Sequence, residues 1–265
     1  MTARTRMTAL GRTEALLLGR NRTALFMAVA MPLSMIGALQ ALLQAQRKDM
    51  PGVDTSSALV LTLTATTLLF VVYYNLTAAY VARRAELVLK RLRTGELTDP
   101  EILGGTALPS AALALLQVTL ITVGVAAVSG LRAPVNPLVA LVGLLLALAM
   151  MIPLAALSSA FTRTVETTGI TTLPVIMLAL FGSGLFVPFS ALPQQLVPFL
   201  KLLPTTSALA LLRIGWLGGD GSDANAPHTL GDTWLPALPY LLGALCWLVP
   251  ACWAARRWFR WEPRR

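Results

Sequence analysis

Residues 133–162 read APVNPLVALVGLLLALAMMIPLAALSSAFT, a stretch between Arg132 and Arg163 without one Asp, Glu, Lys or Arg. A helix needs about 20 mostly apolar residues to cross the hydrocarbon layer, where no water can bond an exposed N–H or C=O. The stretch therefore reads as a membrane span, and the fold follows from how often the pattern recurs. Charge-free stretches also run from Arg22 to Arg47, Asp54 to Arg83, Glu101 to Arg132, Glu166 to Lys201 and Asp232 to Arg256. They predict an all-α polytopic membrane protein with six transmembrane helices, near 24–44, 58–81, 107–130, 137–161, 169–189 and 234–254. Composition agrees: 56% of the 265 residues are hydrophobic and only 12% charged, with a mean hydropathy of +0.70. An ordinary soluble domain carries roughly a quarter charged residues, so a water-soluble globule is excluded.

Six spans put both termini on one side, and the Lys and Arg residues of the short flanking segments say which. Sixteen lie in the N-terminal tail, the segment between spans two and three, the segment holding Arg163 and the C-terminal tail, against five on the other side (Arg47, Lys48, Arg132, Lys201, Arg213). Both termini are therefore expected in the cytoplasm, with the chain multi-pass in the plasma membrane. The net charge of +9 is accounted for in the same way. No aromatic residues are interleaved with these cations in the loops, so nucleic acid is not an expected partner. Trp234, Trp247, Trp253, Trp258 and Trp261 lie within or just beyond the last span, and several suit the interfacial belt.

The N-terminal segment 1–23 has too short an apolar run, and no small-residue cleavage site, for a signal peptide. Met7, Leu10, Leu17 and Leu18 can line one side of a helix lying on the cytoplasmic surface; a frayed basic tail fits as well. Met27, Met31 and Met35 recur every four residues in span one, as packing residues or as a variable apolar surface. Cys246 and Cys252 lie six apart in span six and cannot bond to each other there. His228, the sole histidine, falls in the polar run 218–232 outside the membrane.

Chemistry at membrane depth needs ionisable groups, and the predicted spans have none. FGSG at 181–184 has Phe181 where an intramembrane serine protease would have its first Gly, and no span holds a His. Glu96, Asp99 and Glu101 form a solvated cluster without metal-ligand spacing. The chain is thus expected to have no catalytic set, metal site or cofactor. Span two does carry hydroxyls and an amide. Thr62 and Thr66 share a helix face with Tyr73 near it, and Asn75 follows, so these residues line either a pathway or a helix contact.

The segment 82–106, ARRAELVLKRLRTGELTDPEILGGT, is the densest in charge and has helical spacing. Leu87, Val88, Leu89 and Leu92 leave an apolar side, with Arg84, Lys90, Arg91 and Arg93 pointing elsewhere. Thr94-Gly95 stops the helix, and Thr98-Asp99-Pro100-Glu101 reads as the cap and first turn of the next one. Alone, such a helix lies solvated on the bilayer or serves as a docking surface.

Three features resemble the membrane subunits of ATP-binding-cassette exporters of the ABC type-2 permease class, drug-resistance type, over nearly the whole chain. The first is the six-span layout with cytoplasmic ends. The second is Leu89-Lys90-Arg91-Leu92-Arg93-Thr94 after span two, similar to the family's basic segment around the coupling helix. The third is SGLFVPFSALPQQLVPFLKLLPTTSALALLR at 183–213, which looks like the family's exit from span five: a Ser-Gly, an aromatic, Pro188, Leu192-Pro193, Leu203-Pro204 and Arg213. Arg84-Ala85-Glu86-Leu87-Val88 departs from the family's Arg-Glu-x-Gly-Thr, with the acid displaced by one position.

The third segment also has a physical reading. Prolines at 188, 193, 198 and 204 cut it into apolar pieces of about five residues, too short to cross. Short re-entrant helical turns between spans five and six follow, and in the resembled family these form an outer gate, here Pro188, Pro193 and Pro204. A phosphate loop is lacking, since Lys48, Lys90 and Lys201 follow Arg, Leu and Leu, never Gly. The resemblance therefore implies one permease domain over 1–265, pairing with a second permease chain, with ATP and Mg on a separate ATPase subunit. Docking of that subunit falls to Glu86, Lys90, Arg91 and Arg93, more weakly to Arg163 and Glu166. Charge-free spans suit an apolar or amphipathic cargo, drug or lipid-like. A non-transporting scaffold and a secondary transporter are the alternatives; the latter should show mid-span ionisable groups or an inverted repeat, and neither is visible.

Overall fold

The computed structural model describes residues 55–95, 97–185, 189, 192–219 and 229–262. The N-terminal segment, the span near 24–44 with Met27, Met31 and Met35, and Glu96, Pro188 and His228 lie outside the described residues. Among the described residues all regular structure is helical. Four helices are long and apolar enough to cross a membrane: 56–85, 99–129, 137–161 and 234–258.

The first of these is composite. Helix α1 (Thr55–Thr67) runs into a π-helix (Leu68–Tyr74) and then α2 (Asn75–Ala85) without a break. Ala65, Leu68, Leu69, Val72, Tyr73, Leu76 and Tyr80 from this helix build the main core. It is the most enclosed of the four spanning helices. A six-residue helix, α3 (Val88–Arg93), follows and stops at Thr94, whose hydroxyl donates to the Arg91 carbonyl at 2.8 Å.

Helix α4 (Asp99–Ser129) begins at a capping box, with the Thr98 backbone N–H and hydroxyl donating to Glu101 Oε2 at 2.7 and 2.8 Å. The cap was legible in sequence, but it starts a helix of 31 residues, eight positions before the predicted span at 107. At 1.5 Å per residue this helix is about 46 Å long, so its first turns extend beyond a hydrocarbon layer of about 30 Å. Gly130, in the left-handed region at φ 64°, ends it. Helix α5 (Pro137–Phe161) has the predicted bounds. Asn136 caps it by accepting from the N–H groups of Leu138 and Val139, and Pro137 occupies the first turn, where its missing N–H costs nothing.

Of the span predicted at 169–189, the described residues form α6 (Thr168–Gly182). Ser183 turns its hydroxyl back onto the Leu180 carbonyl, and Gly184 adopts φ 66°, which terminates the helix at about 22 Å. A short α7 (Val197–Lys201) and then α8 (Pro204–Leu217) follow. The expectation of five-residue pieces holds for α7 and fails for α8. Pro204 stands at the start of α8, where proline initiates a helix, so fourteen residues follow unbroken. Helix α9 (Trp234–Trp258) completes the bundle.

Helices in lipid gain little from apolar transfer and pack instead through small residues that let backbones approach. The contact of α5 with α8 has this character. A Cβ on Gly143 would lie 2.5 Å from the Leu212 nitrogen, and one on Gly215 would overlap the backbone of Ala140. Cross-links fix the two ends of the bundle. At one end the Val135 and Asn136 N–H groups donate to the carbonyls of Trp216 and Gly215, Trp216 Nε1 donates to Ser57, and Asn136 Nδ2 donates to Thr233 Oγ1. At the other end Arg84 reaches Ser159 and Thr162, and Phe259 packs on Tyr80. The 86–98 loop, the 162–167 loop and the tail after α9 therefore share one end, the α3 end.

Candidate functional site

The α3 end carries the residues expected to dock an ATPase subunit. Six residues cannot sustain a helix alone, so α3 is held by what it touches. Leu89 is fully buried in the core and Leu92 packs at its edge. Lys90, Arg91 and Arg93 are exposed, as is Glu86. Leu87 departs from the expected apolar side: it is 42% exposed and takes φ 59°, the one non-glycine in the left-handed region among the described residues. The chain turns sharply there to lay α3 against α2, which removes Leu87 from the face that Leu89 occupies.

The cations of α3 have neighbours in the chain. Lys90 Nζ lies 2.7 Å from Glu262 Oε1. Arg93 Nε donates to Asp99 Oδ1 at 3.0 Å, and its guanidinium sits 4.9 Å from the centre of the Trp261 ring. Trp261 is thus part of this cluster. Arg163 and Glu166 are exposed in the 162–167 loop. A hydrogen bond from the Thr164 side chain, helped by the backbone N–H of Glu166 itself, holds the Glu166 carboxyl below its usual range.

Arg84, expected among the solvated cations, is only 2% exposed. Its Nη1 donates to the Ser159 carbonyl at 2.9 Å and its Nη2 to the Thr162 carbonyl at 2.6 Å. These carbonyls belong to the last turn and the C-cap of α5, where carbonyls run short of helical N–H partners and the dipole favours a cation. Arg83 donates to Thr106 and Tyr80 to the Leu103 carbonyl, so α2 is tied to α4 as well as to α5.

The residues expected to line a pathway separate. Thr62 and Thr66 are half-buried on one stripe with exposed Phe70, and Asn75 is exposed further along the helix. Thr66 donates to the Thr62 carbonyl at 2.8 Å. Tyr73 leaves that stripe: it is fully buried, with its hydroxyl 2.7 Å from Ser158 Oγ. The i→i+5 bonding of the π-helix adds a residue per turn and rotates the face on which position 73 emerges.

At the opposite end, Thr206 Oγ1 donates to the Gly182 carbonyl and Arg213 Nη1 to the Gly184 carbonyl, so α8 closes against the end of α6. Gly184 tolerates no side chain, because its φ is positive and a Cβ would press on the Phe189 ring. Pro193 accepts from the Leu196 N–H in a turn before α7, and Trp247 Nε1 donates to the Leu202 carbonyl between α7 and α8. Sequence reasoning passed over Gln117, buried in α4, and Asn136. A lone amide in an apolar helix and an Asn directly before Pro137 were the signals available.

Apolar helices of crossing length, tied at both ends with a cationic helix at one of them, define a multi-pass membrane protein. The chain belongs to the ABC-2 type transporter family, whose sequence model matches residues 5–217. It is therefore a permease component of an ABC transporter, in a family that typically works with a separate ABC ATPase subunit and is normally non-catalytic. No curated protein matches the sequence.

Proposed function

We propose that the chain is the permease subunit of an ABC exporter, a single domain over 1–265 that forms the path for an apolar or amphipathic substrate. The observation that carries this reading is the two-sided α3: Leu89 is buried in the bundle while Lys90, Arg91 and Arg93 face outward. A separate ATPase subunit docks on that face and on Glu86, with Arg163 and Glu166 as a second, weaker contact. ATP and Mg²⁺ act on that subunit. Movement of α3 passes through Leu89 and the Arg83, Arg84 and Tyr80 ties to α2, α4 and α5.

In this reading the α3 end is cytoplasmic, as the positive-inside distribution supports, and the protein sits in the plasma membrane with both termini inside. The span near 24–44 and a fifth one made of α6 with the re-entrant α7 and α8 bring the total to six. A second permease chain, identical or paralogous, faces the stripe of Thr62, Thr66 and Asn75 and encloses the path. Pro193 and Pro204, with Pro188, shape the outer gate. Drug or lipid-like cargo suits walls without charge.

The test is charge reversal at the docking face. Lys90→Glu with Arg91→Glu should abolish co-purification of the ATPase subunit and ATP-driven export from vesicles, leaving the permease folded. Intact association and export would sink the docking role. Association without export in the parent protein would favour a scaffold, and uphill transport by the chain alone on an ion gradient would overturn the assignment.

A further inference from the structure

An unbroken series of side chains joins four elements at the α3 end. Tyr80 of α2 meets Phe259 edge-on at 5.7 Å, Phe259 meets Trp261 at 4.8 Å, and Trp261 lies under the Arg93 guanidinium of α3, which bonds Asp99 of α4. Glu262, next in the chain, pairs with Lys90. The root of this series is buried, since Tyr80 is fully enclosed and Phe259 nearly so. The tip is exposed, with Lys90 and Glu262 both largely in solvent.

We infer that residues 259–262 are a positioning strap for α3, through which the end of α9 sets the orientation of the docking helix and moves with it. Three physical points support this. A six-residue helix has no stability of its own, and α3 enters through a left-handed Leu87 with no side-chain cap. Leu89 and Leu92 seat one side of α3 on the core; Trp261 and Glu262 engage positions 93 and 90, which lie together on the other side of Leu89, about 40° and 100° around the helix from it, and hold α3 against turning about that seat. An exposed ion pair is weak and exchangeable, whereas the buried Phe259 is not, so the tip can yield to a docking partner while the root stays. Trp261 and Glu262 are positioning residues. The strap lies beyond residue 217, outside the segment that the family model matches.

The functional half rests on the docking reading of α3, and the experiment separates the two. Full-length protein in lipid nanodiscs, with both faces open, is treated with trypsin, whose cleavage sites Lys90, Arg91 and Arg93 lie on α3 itself. Trp261→Ala and Glu262→Lys should each raise the cleavage rate there roughly three- to five-fold, the factor that loss of one exposed contact produces. Trp261→Phe should retain most of the protection, and Lys90→Glu combined with Glu262→Lys should restore it, read at Arg91. Glu262 is on the surface, so its variant keeps the test alive if Trp261→Ala fails to fold. In the complex with the ATPase subunit, Trp261→Ala should lower ATP turnover stimulated by the permease by a similar factor. Unchanged cleavage in both single variants overturns the strap. Faster cleavage, with ATPase association indifferent to the strap variants and to Lys90→Glu/Arg91→Glu alike, leaves the strap standing and removes the docking reading.

Discussion

The Nη2 of Arg84 donates to the carbonyl of Thr162 at 2.6 Å, and its Nη1 to the Ser159 carbonyl at 2.9 Å, so one buried guanidinium closes the end of α5 from the end of α2. A flat fork of donors can serve two carbonyls at once; an ammonium on a flexible stem cannot do so with the same geometry. Thr162 is in turn 2.7 Å from the hydroxyl of Thr171 on α6, which extends the tie to a third helix.

Replacing Arg84 by Ala should therefore leave two buried helix-terminal carbonyls without this partner, a loss of about 2–4 kcal/mol for hydrogen bonds from a charged group. Arg84→Lys should fall between Ala and the parent. Thermal unfolding of the detergent-purified protein, followed by far-UV circular dichroism, gives the order. A midpoint for Arg84→Ala equal to the parent's would show that the bridge contributes nothing to stability.

Close packing of α5 on α8 leads to a second expectation. Gly215→Ala must push α8 off the backbone of Ala140, at a cost of about 1–3 kcal/mol for overpacking, and Gly143→Ala has the same problem against Leu212. Gly124→Ala, where an added Cβ meets nothing within 4 Å, serves as the control. The first two should lower the unfolding midpoint by several degrees, and the control should leave it in place or raise it slightly.

Asn136 joins the starts of α5 and α9: its side-chain oxygen accepts from two α5 N–H groups while its amide donates to Thr233 Oγ1 at 2.8 Å and to the Leu230 carbonyl. Asn136→Asp keeps the acceptor and loses the donor, whereas Asn136→Ala loses both. Alanine should cost about 1–2 kcal/mol or more through the cap alone, with Asp intermediate. The unfolding midpoints of the two variants check the order; equal values for Asp and Ala would mean that the α9 tie carries the whole effect, and an Asp value equal to the parent's would mean that the cap does.

Some of this architecture is written in single residues and some is not. Long charge-free runs and local punctuation were legible, because lipid forbids charge and caps act on their own neighbours: α5 has its predicted bounds, Thr94 stops α3 and Thr98 with Glu101 starts α4. Pro204 misled because proline breaks a helix from within yet opens one at its first turn, and sequence alone leaves its position in the helix open. The π-helix at Leu68–Tyr74 carries no residue signature, being a choice of bonding partner along a uniform apolar run, and it moved Tyr73 off the predicted face. Arg84 looks in sequence like a solvated cation, and nothing there signals that Trp261 lies under Arg93, because their partners lie 75 and more residues away in the chain. Tertiary ties of that range leave no local trace.

The stripe on α1 and α2 yields the last expectation. Thr62, Thr66 and Asn75 are half-buried or exposed, although they belong to the most enclosed spanning helix, while Tyr73 is sealed against Ser158. A polar amide at such a position is poorly suited to face acyl chains, because an unbonded polar group in hydrocarbon costs several kcal/mol. Contact with water or with a second chain relieves that cost. With Cys246 and Cys252 replaced by Ser, single cysteines at 62, 66 and 75 in intact vesicles should react with a membrane-impermeant maleimide, and a cysteine at 73 should stay silent. Addition of nucleotide to the complex with its ATPase subunit should change the rates at 62 and 66 together, since one helix face carries both. A stripe that stays unreactive in every state while remaining accessible to a lipid-soluble maleimide would face lipid, and the pathway would then have to run along another helix.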